Sequence, residues 1–201
     1  MPSNNYNFDE IIERRDLNAV VLHGFKNYLF SESQTSEFTC SDADLLPMWI
    51  ADMAFASAPE IVEAIRKRLD NPVFGYTKLF DPEYFTTFSI WTRSRYGWEC
   101  KEEELLLSSG VIPALYELVD YLCEPDEKII AFTPSYAYFK RAADFHNIEI
   151  IYSPLINNQN NYVMDLDDFK EKVKDPKVKL CIFCHPHNPT TPQVDYGQKQ
   201  N

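Results

Sequence analysis

The chain has 201 residues, 45% hydrophobic and 14% aromatic, which is enough apolar material to bury a core in one or two folded units. Its 19 basic residues face 31 acidic ones, giving a net charge of -12 and a pI near 4.7, a balance that argues against nucleic-acid backbones and anionic membrane surfaces as partners. The opening MPSNNYNFDEIIERR has no secretory apolar core, no window reaches the roughly 18 apolar residues of a membrane span, and five scattered cysteines (Cys40, Cys100, Cys123, Cys181, Cys184) read as reduced thiols, so the cytoplasm is the expected compartment.

Taken in chain order, the segment up to about Leu45 offers a short helix at FDEIIERR and then no sustained period, the pattern of an arm lying over another surface. LLPMWIADMAF follows, apolar but broken by Pro47 and Asp52. SAPEIVEAIRKRLDN carries a start signal in Ser57, Pro59 and Glu60, and Ile61, Ile65 and Leu69 recur every fourth residue, which predicts an amphipathic helix. After the loop NPVFGYT, the stretch DPEYFTTFSIWTRSRYG predicts a second helix, capped by Asp81, opened by Pro82 and stopped by Gly97. Leu105–Leu107 read as a short buried strand, Ser108–Gly110 as a turn, and Ile112, Leu115, Leu118, Val119 and Leu122 as a helical face leading to a strand. The alternation continues with a helix around YFKRAADFHN, a strand IEIIYSPL, a helix DLDDFKEKVKD and a strand KVKLCIFC. Such an alternation predicts an α/β fold with a mostly parallel sheet, whose ligands sit outside the carboxyl ends of the strands.

Three features fall at such strand ends. The turn SSGVIP aims backbone amides at one point, and Ser108 or Ser109 adds a hydroxyl, an arrangement that suits an anion such as phosphate. Tyr136, in TPSYAYF, can stack on a planar ligand, and Asn188, in HPHNPT, can donate to a ring oxygen from the turn that Pro189 fixes. Each has a plainer alternative alone: a βα turn, a core aromatic, an Asn-Pro turn. Together they describe a site for a flat, phosphorylated, hydroxylated aromatic, which is pyridoxal phosphate. Other pairs carry less. The CIFC cysteines sit three apart in a strand pattern, on opposite faces, and read as core thiols. His185 and His187 lack a matching pair elsewhere, so no metal site is expected.

In order along the chain, LLPMWIADMAFASAPEIVEAI, VFGYT, SSGVIPAL, TPSYAYF and HPHNPT resemble the fold type I pyridoxal phosphate enzymes, and within them the cystathionine β-lyase-like aminotransferases of the MalY/PatB group. The resemblance runs from about Ile11 to Thr190 and implies an arm with a small-domain segment at 1–45 and part of the cofactor-binding large domain at 46–190. It implies that Ser109, Gly110 and Val111 hold the cofactor phosphate, that Tyr136 stacks on the pyridine ring and that Asn188 bonds the ring hydroxyl. Tyr76, in FGY, resembles the tyrosine sent across a homodimer interface to the neighbouring phosphate; loop packing is its plainer alternative. Ala51 and Asp52 resemble the segment that passes the carboxylate of an amino-acid substrate, although Trp49, Ile50 and Phe55 beside them read equally as core.

The activity implied is α,β-elimination from an amino acid bearing sulfur on its β-carbon, giving thiol, pyruvate and ammonia. The lysine that holds the cofactor as a Schiff base and acts as the base, the aspartate paired with the pyridine nitrogen and the arginine that clamps the substrate all lie downstream of the Asn-Pro turn in that family. No residue here stands in those contexts, so a polypeptide of these 201 residues is expected to be inactive alone. An aminotransferase on the same fold, or a non-catalytic chain that pairs with an intact relative, are the alternatives. The apolar residues Ile129, Ile130, Leu180 and Ile182 are expected to be left partly uncovered, and residues 191–201 match no family feature. One synonymous coding of HNPTTPQVDYGQKQ contains ACCCCACA twice in tandem, and deleting one copy yields Asn-Pro-Thr-Gly-Arg-Leu-Trp-Thr-Lys-Ala, so the tail is read as a frameshift product.

Overall fold

Pro59 and Glu60 open helix α1 (Pro59–Leu69), the first α-helix with a full range in a computed structural model that describes residues 6–23, 26, 30, 39, 44, 46–78, 81–159 and 161–190. The tail 191–201 and much of the arm before Leu45 lie outside the described residues. The chain divides into two units, Met1–Leu79 and Phe80–Asn201.

In the first unit, Pro59 has no amide to leave unpaired, and Arg66, Lys67 and Arg68 complement the helix dipole at the far end of α1. Ile61, Ile65 and Leu69 form the expected stripe, but each remains more than half exposed. The helix expected at FDEIIERR does not form; the chain makes only a 3-10 turn over Arg15–Leu17, ended by Asn18 at φ 54°. The cause is local. The Glu13 carboxylate accepts from the amides of Arg14 (2.9 Å) and Arg15 (2.8 Å), giving the backbone an alternative to helical bonding. Those amides hold the Glu13 carboxyl below its ordinary range.

The second unit begins with α2 (Pro82–Tyr96), where the Asp81 side chain accepts from the Tyr84 amide at 2.7 Å and Gly97 ends the helix at φ 62°. Then follow α3 (Val111–Leu122), β1 (Lys128–Thr133), α4 (Ala137–Phe145), β2 (Glu149–Asn158), β3 (Asn161–Met164), α5 (Leu166–Lys172) and β4 (Val178–Ile182). The sheet order is β3-β2-β1-β4. β1 is parallel to β2 and β4, while β3 folds back antiparallel on β2. Leu105–Leu107 are not a strand: Leu105 has extended dihedrals, but no neighbouring backbone among the described residues makes a ladder, and Leu106 is 86% exposed.

The core lies on both faces of β1. Val119, Ile129, Ala142, Ala143 and Ile148 form one cluster, joined by Leu115, Tyr116, Leu180 and Ile182; Phe132 and Leu155 form the other, with Tyr162, Met164 and Phe169. Ile129 and Ile130 are fully buried, which corrects the expectation that they are left uncovered. Strand alternation turns them to opposite faces, and both faces of β1 are covered within this unit. Leu180 and Ile182 are half-buried against the first cluster.

A polar clamp fixes α5 to β2. The hydroxyl of buried Ser153 donates to Asp168 at 2.6 Å, and the Lys172 ammonium donates to both Asp168 oxygens at 2.7 and 2.8 Å. Lys172 first, and Ser153 second, hold the Asp168 carboxyl below its ordinary range. A depressed carboxyl stabilises the fold above the unfolded value of about 3.9, and that contribution is lost as pH falls through the folded value. Between about pH 4 and pH 2 the melting temperature of the wild type should therefore fall more steeply than that of Asp168→Asn. Parallel curves in a thermal scan by circular dichroism would count against the clamp.

Candidate functional site

A short loop joins α3 to β1, so the helix runs back along the strand it precedes. The 12 residues of α3 extend ~18 Å, and a strand like β1 covers a similar length. The start of α3 therefore lies toward the carboxyl edge of the sheet. That helix end has no side-chain cap and no acidic residue in its first turn. Among the described residues the amides of Val111 and Ile112 have no acceptor, Pro113 has no amide, and only the Ala114 amide is taken, by the Gly110 carbonyl at 3.2 Å. The structure also separates the two serines: Ser108 Oγ donates to the Gly110 carbonyl at 3.0 Å and closes the turn, while Ser109 is exposed, and among the described residues its hydroxyl has no partner.

Gly110 itself is extended (φ 162°, ψ 169°), a backbone any residue adopts. A Cβ there would meet only the Pro113 ring at an ordinary 3.6 Å. Neither conformation nor neighbours demand a glycine. What the missing side chain leaves is open access to the two unpaired amides, the condition for a helix N-terminus to take an anion.

β1 ends at Thr133, and three residues later Tyr136 stands at the N-cap of α4, half-buried. Its ring stacks on Tyr138 (centroids 5.2 Å apart, planes at 30°) and meets Phe139 edge-on at 5.9 Å. The Arg141 guanidinium lies over the Tyr138 ring at 4.8 Å, so Tyr136 is backed by a stacked layer. β4, adjacent and parallel to β1, ends at the same edge and leads to the turn 185–190. There Asn188 is exposed, whereas His187 and Thr190 are buried and joined through Nδ1 and Oγ1 at 2.9 Å. Burial pushes His187 below the ordinary histidine range. The turn, Tyr136 and the α3 amides thus share one edge of one sheet. The Tyr138 layer and the His187–Thr190 bond were not foreseen from the sequence, although His and Thr three apart around Asn-Pro is a readable spacing.

The first unit carries the remaining candidates. Arg14 holds the Asp52 carboxylate at 2.6 Å and also donates to the Met53 carbonyl at 3.4 Å, so the Asp52 charge is compensated within the unit, and Ala51 beside it is exposed. Tyr76 stands wholly exposed, and among the described residues nothing hydrogen-bonds its hydroxyl. Ser109, Gly110, Val111, Tyr136 and Asn188 belong to the second unit, and its chain topology places them toward one edge of the sheet.

Residues 44–194 match the aminotransferase class I and II family. The chain belongs to that family. Among curated relatives, cystathionine beta-lyase PatB of Bacillus subtilis is 36% identical over 149 residues, 73% of this chain and 38% of its own length. MalY of Escherichia coli is 29% identical over 148 residues, 74% of this chain and 38% of its own. Among solved structures, the C-S lyase of Staphylococcus hominis with bound pyridoxal phosphate superposes with TM-score 0.85 at 44% identity, covering 96% of this chain and 46% of that one. Cystalysin from Treponema denticola, which contains the same cofactor, matches with TM-score 0.82 at 29% identity and covers 96% and 46%. The class I and II aminotransferase family uses pyridoxal phosphate, and the fold here is part of a fold type I enzyme, spanning about two-fifths of the curated relatives' length. Among the described residues no helix is long and apolar enough to cross a membrane.

Proposed function

We propose that this chain is the N-terminal part of a pyridoxal-phosphate-dependent carbon–sulfur β-lyase acting on cystathionine or a cysteine conjugate. The observation that carries the reading is the pair of unpaired Val111 and Ile112 amides behind Gly110, at the sheet edge that also bears Tyr136 and Asn188. These residues fit the cofactor: two amide donors and a helix dipole for the phosphate, an aromatic face for the ring, and an amide donor for the ring oxygen. In this reading Val111, Ile112 and the Ser109 hydroxyl hold the phosphate. Tyr136, backed by Tyr138, fixes the plane of the ring, and Asn188 donates to its oxygen.

When bound, pyridoxal phosphate supplies an electron sink for an amino acid that has lost its α-proton. The chain's own contribution is orientation and charge placement. Exposed Tyr76 reaches a second subunit of a homodimer and adds a hydroxyl donor to the phosphate there. Ala51 and Asp52 border the amino-acid substrate, with Arg14 neutralising the carboxylate that would otherwise repel the substrate's own.

Enzyme assays separate the readings. A protein carrying this sequence and continued to its relatives' length should release thiol and pyruvate from cystathionine in equal amounts, while a polypeptide of these 201 residues should release none. Keto acid formed only with an added keto-acid acceptor, without thiol, assigns the aminotransferase reading instead, which the family match favours equally. Turnover by the 201-residue polypeptide would overturn the expectation of inactivity.

A further inference from the structure

His187 and Thr190 form a buried polar pair that none of the cofactor contacts above uses. They are 2% and 7% exposed, and their side chains bond at 2.9 Å across the exposed Asn188 and Pro189. Among the described residues the backbone gives this turn little support. Pro186 and Pro189 have no amide, and among the described residues no backbone hydrogen bond ties 186–190 to the rest of the unit. The Cys184 thiol adds a weak contact to the Pro186 carbonyl at 3.5 Å, and the His185 ring stacks on Phe183 with centroids 6.4 Å apart.

We propose that His187 and Thr190 are positioning residues, whose hydrogen bond closes the turn and fixes the Asn188 side chain in place before any ligand binds. The direction rests on two facts. A buried polar side chain keeps a partner because leaving it unsatisfied is costly, so the pair stays closed without a ligand. The closed turn spans only three peptide bonds, so its dihedrals, including those that set where Asn188 projects, are constrained directly. Burial pushes His187 below the ordinary histidine range, which favours the neutral ring. The inference rests on the reading of Asn188 as a donor to the cofactor's ring oxygen for its consequence, but not for its structural part.

The test uses the 201-residue chain and three variants: Thr190→Val, which keeps the shape and removes the hydroxyl; Thr190→Ala, which removes it with less bulk; and Thr190→Ser, which keeps it. Nitrogen-15 spectra without ligand report whether the Asn188 backbone and side-chain amide resonances are held. They should shift and broaden in Thr190→Val and stay close to wild type in Thr190→Ser; if Thr190→Val does not fold, Thr190→Ala is read in its place. Titration with pyridoxal phosphate, followed by intrinsic fluorescence, should then show affinity about tenfold weaker without the hydroxyl, the scale of one buried hydrogen bond, and restored by serine. Unchanged Asn188 resonances in the hydroxyl-less variant overturn the positioning role. So does altered turn geometry with unchanged affinity. If the wild type does not bind pyridoxal phosphate, these 201 residues do not hold the cofactor alone, while the ligand-free spectra still decide the structural claim.

Discussion

Ile129→Ala should destabilise the second unit by about 2–5 kcal/mol, a large share of the roughly 5–15 kcal/mol that separates folded from unfolded domains. Ile129 is fully buried in the central strand, packed with Val119, Ala142, Ala143 and Ile148. Its neighbours come from α3, α4 and the residue just before β2, and these elements cannot collapse together onto an alanine without breaking the parallel ladders on both sides of β1. The residual cavity therefore adds to the lost transfer energy. Ile61→Ala on α1 is the contrast: at 58% exposure it should cost about 0.5 kcal/mol or less. Urea unfolding followed by circular dichroism measures both. Near-equal costs would show that the sheet of the second unit is not a cooperative core.

Which parts of this fold could be read from sequence follows from how local their causes are. The caps of α2 depend on residues within four positions of each end, and Asp81, Pro82 and Gly97 all act as their types predict. Asp165 caps α5 in the same way, accepting from the amides of Asp167 and Asp168. The parallel order around β1 followed from alternation alone. The failures need partners that a sequence pattern does not show. FDEIIERR has helical spacing, but one carboxylate, Glu13, takes the amides that a helix would use. Leu105–Leu107 have strand composition but no described neighbour to pair with, and β3 was missed because Gln159, at φ 51°, turns the chain without glycine. At the site, the residue types that follow β1 and β4 were legible, whereas the turn 108–110 follows no strand among the described residues. The choice between Ser108 and Ser109, and the burial of His187 beneath Asn188, depend on side-chain rotamers and packing that appear only in three dimensions.

Gly110→Asp should separate the helix-capping role of this position from its proposed ligand role, because the two respond with opposite signs. The backbone at Gly110 is extended, and a Cβ has only an ordinary contact with Pro113, so an aspartate is accommodated. Its carboxylate can accept from the Ile112 amide and sits favourably at the positive end of the α3 dipole, so the melting temperature should hold or rise slightly. A phosphate at the same place loses that donor and meets a fixed negative charge. Hydrogen bonds to charged groups contribute about 1.5–3 kcal/mol each, and the repulsion adds to that loss, so affinity for pyridoxal phosphate should drop by at least about 100-fold. Gly110→Ala adds the same Cβ without the charge and should weaken binding far less. Equilibrium dialysis of the folded variants supplies the comparison. If Gly110→Asp binds as tightly as the parent, the phosphate does not sit on the Val111 and Ile112 amides, and those unpaired donors are an ordinary helix end facing water.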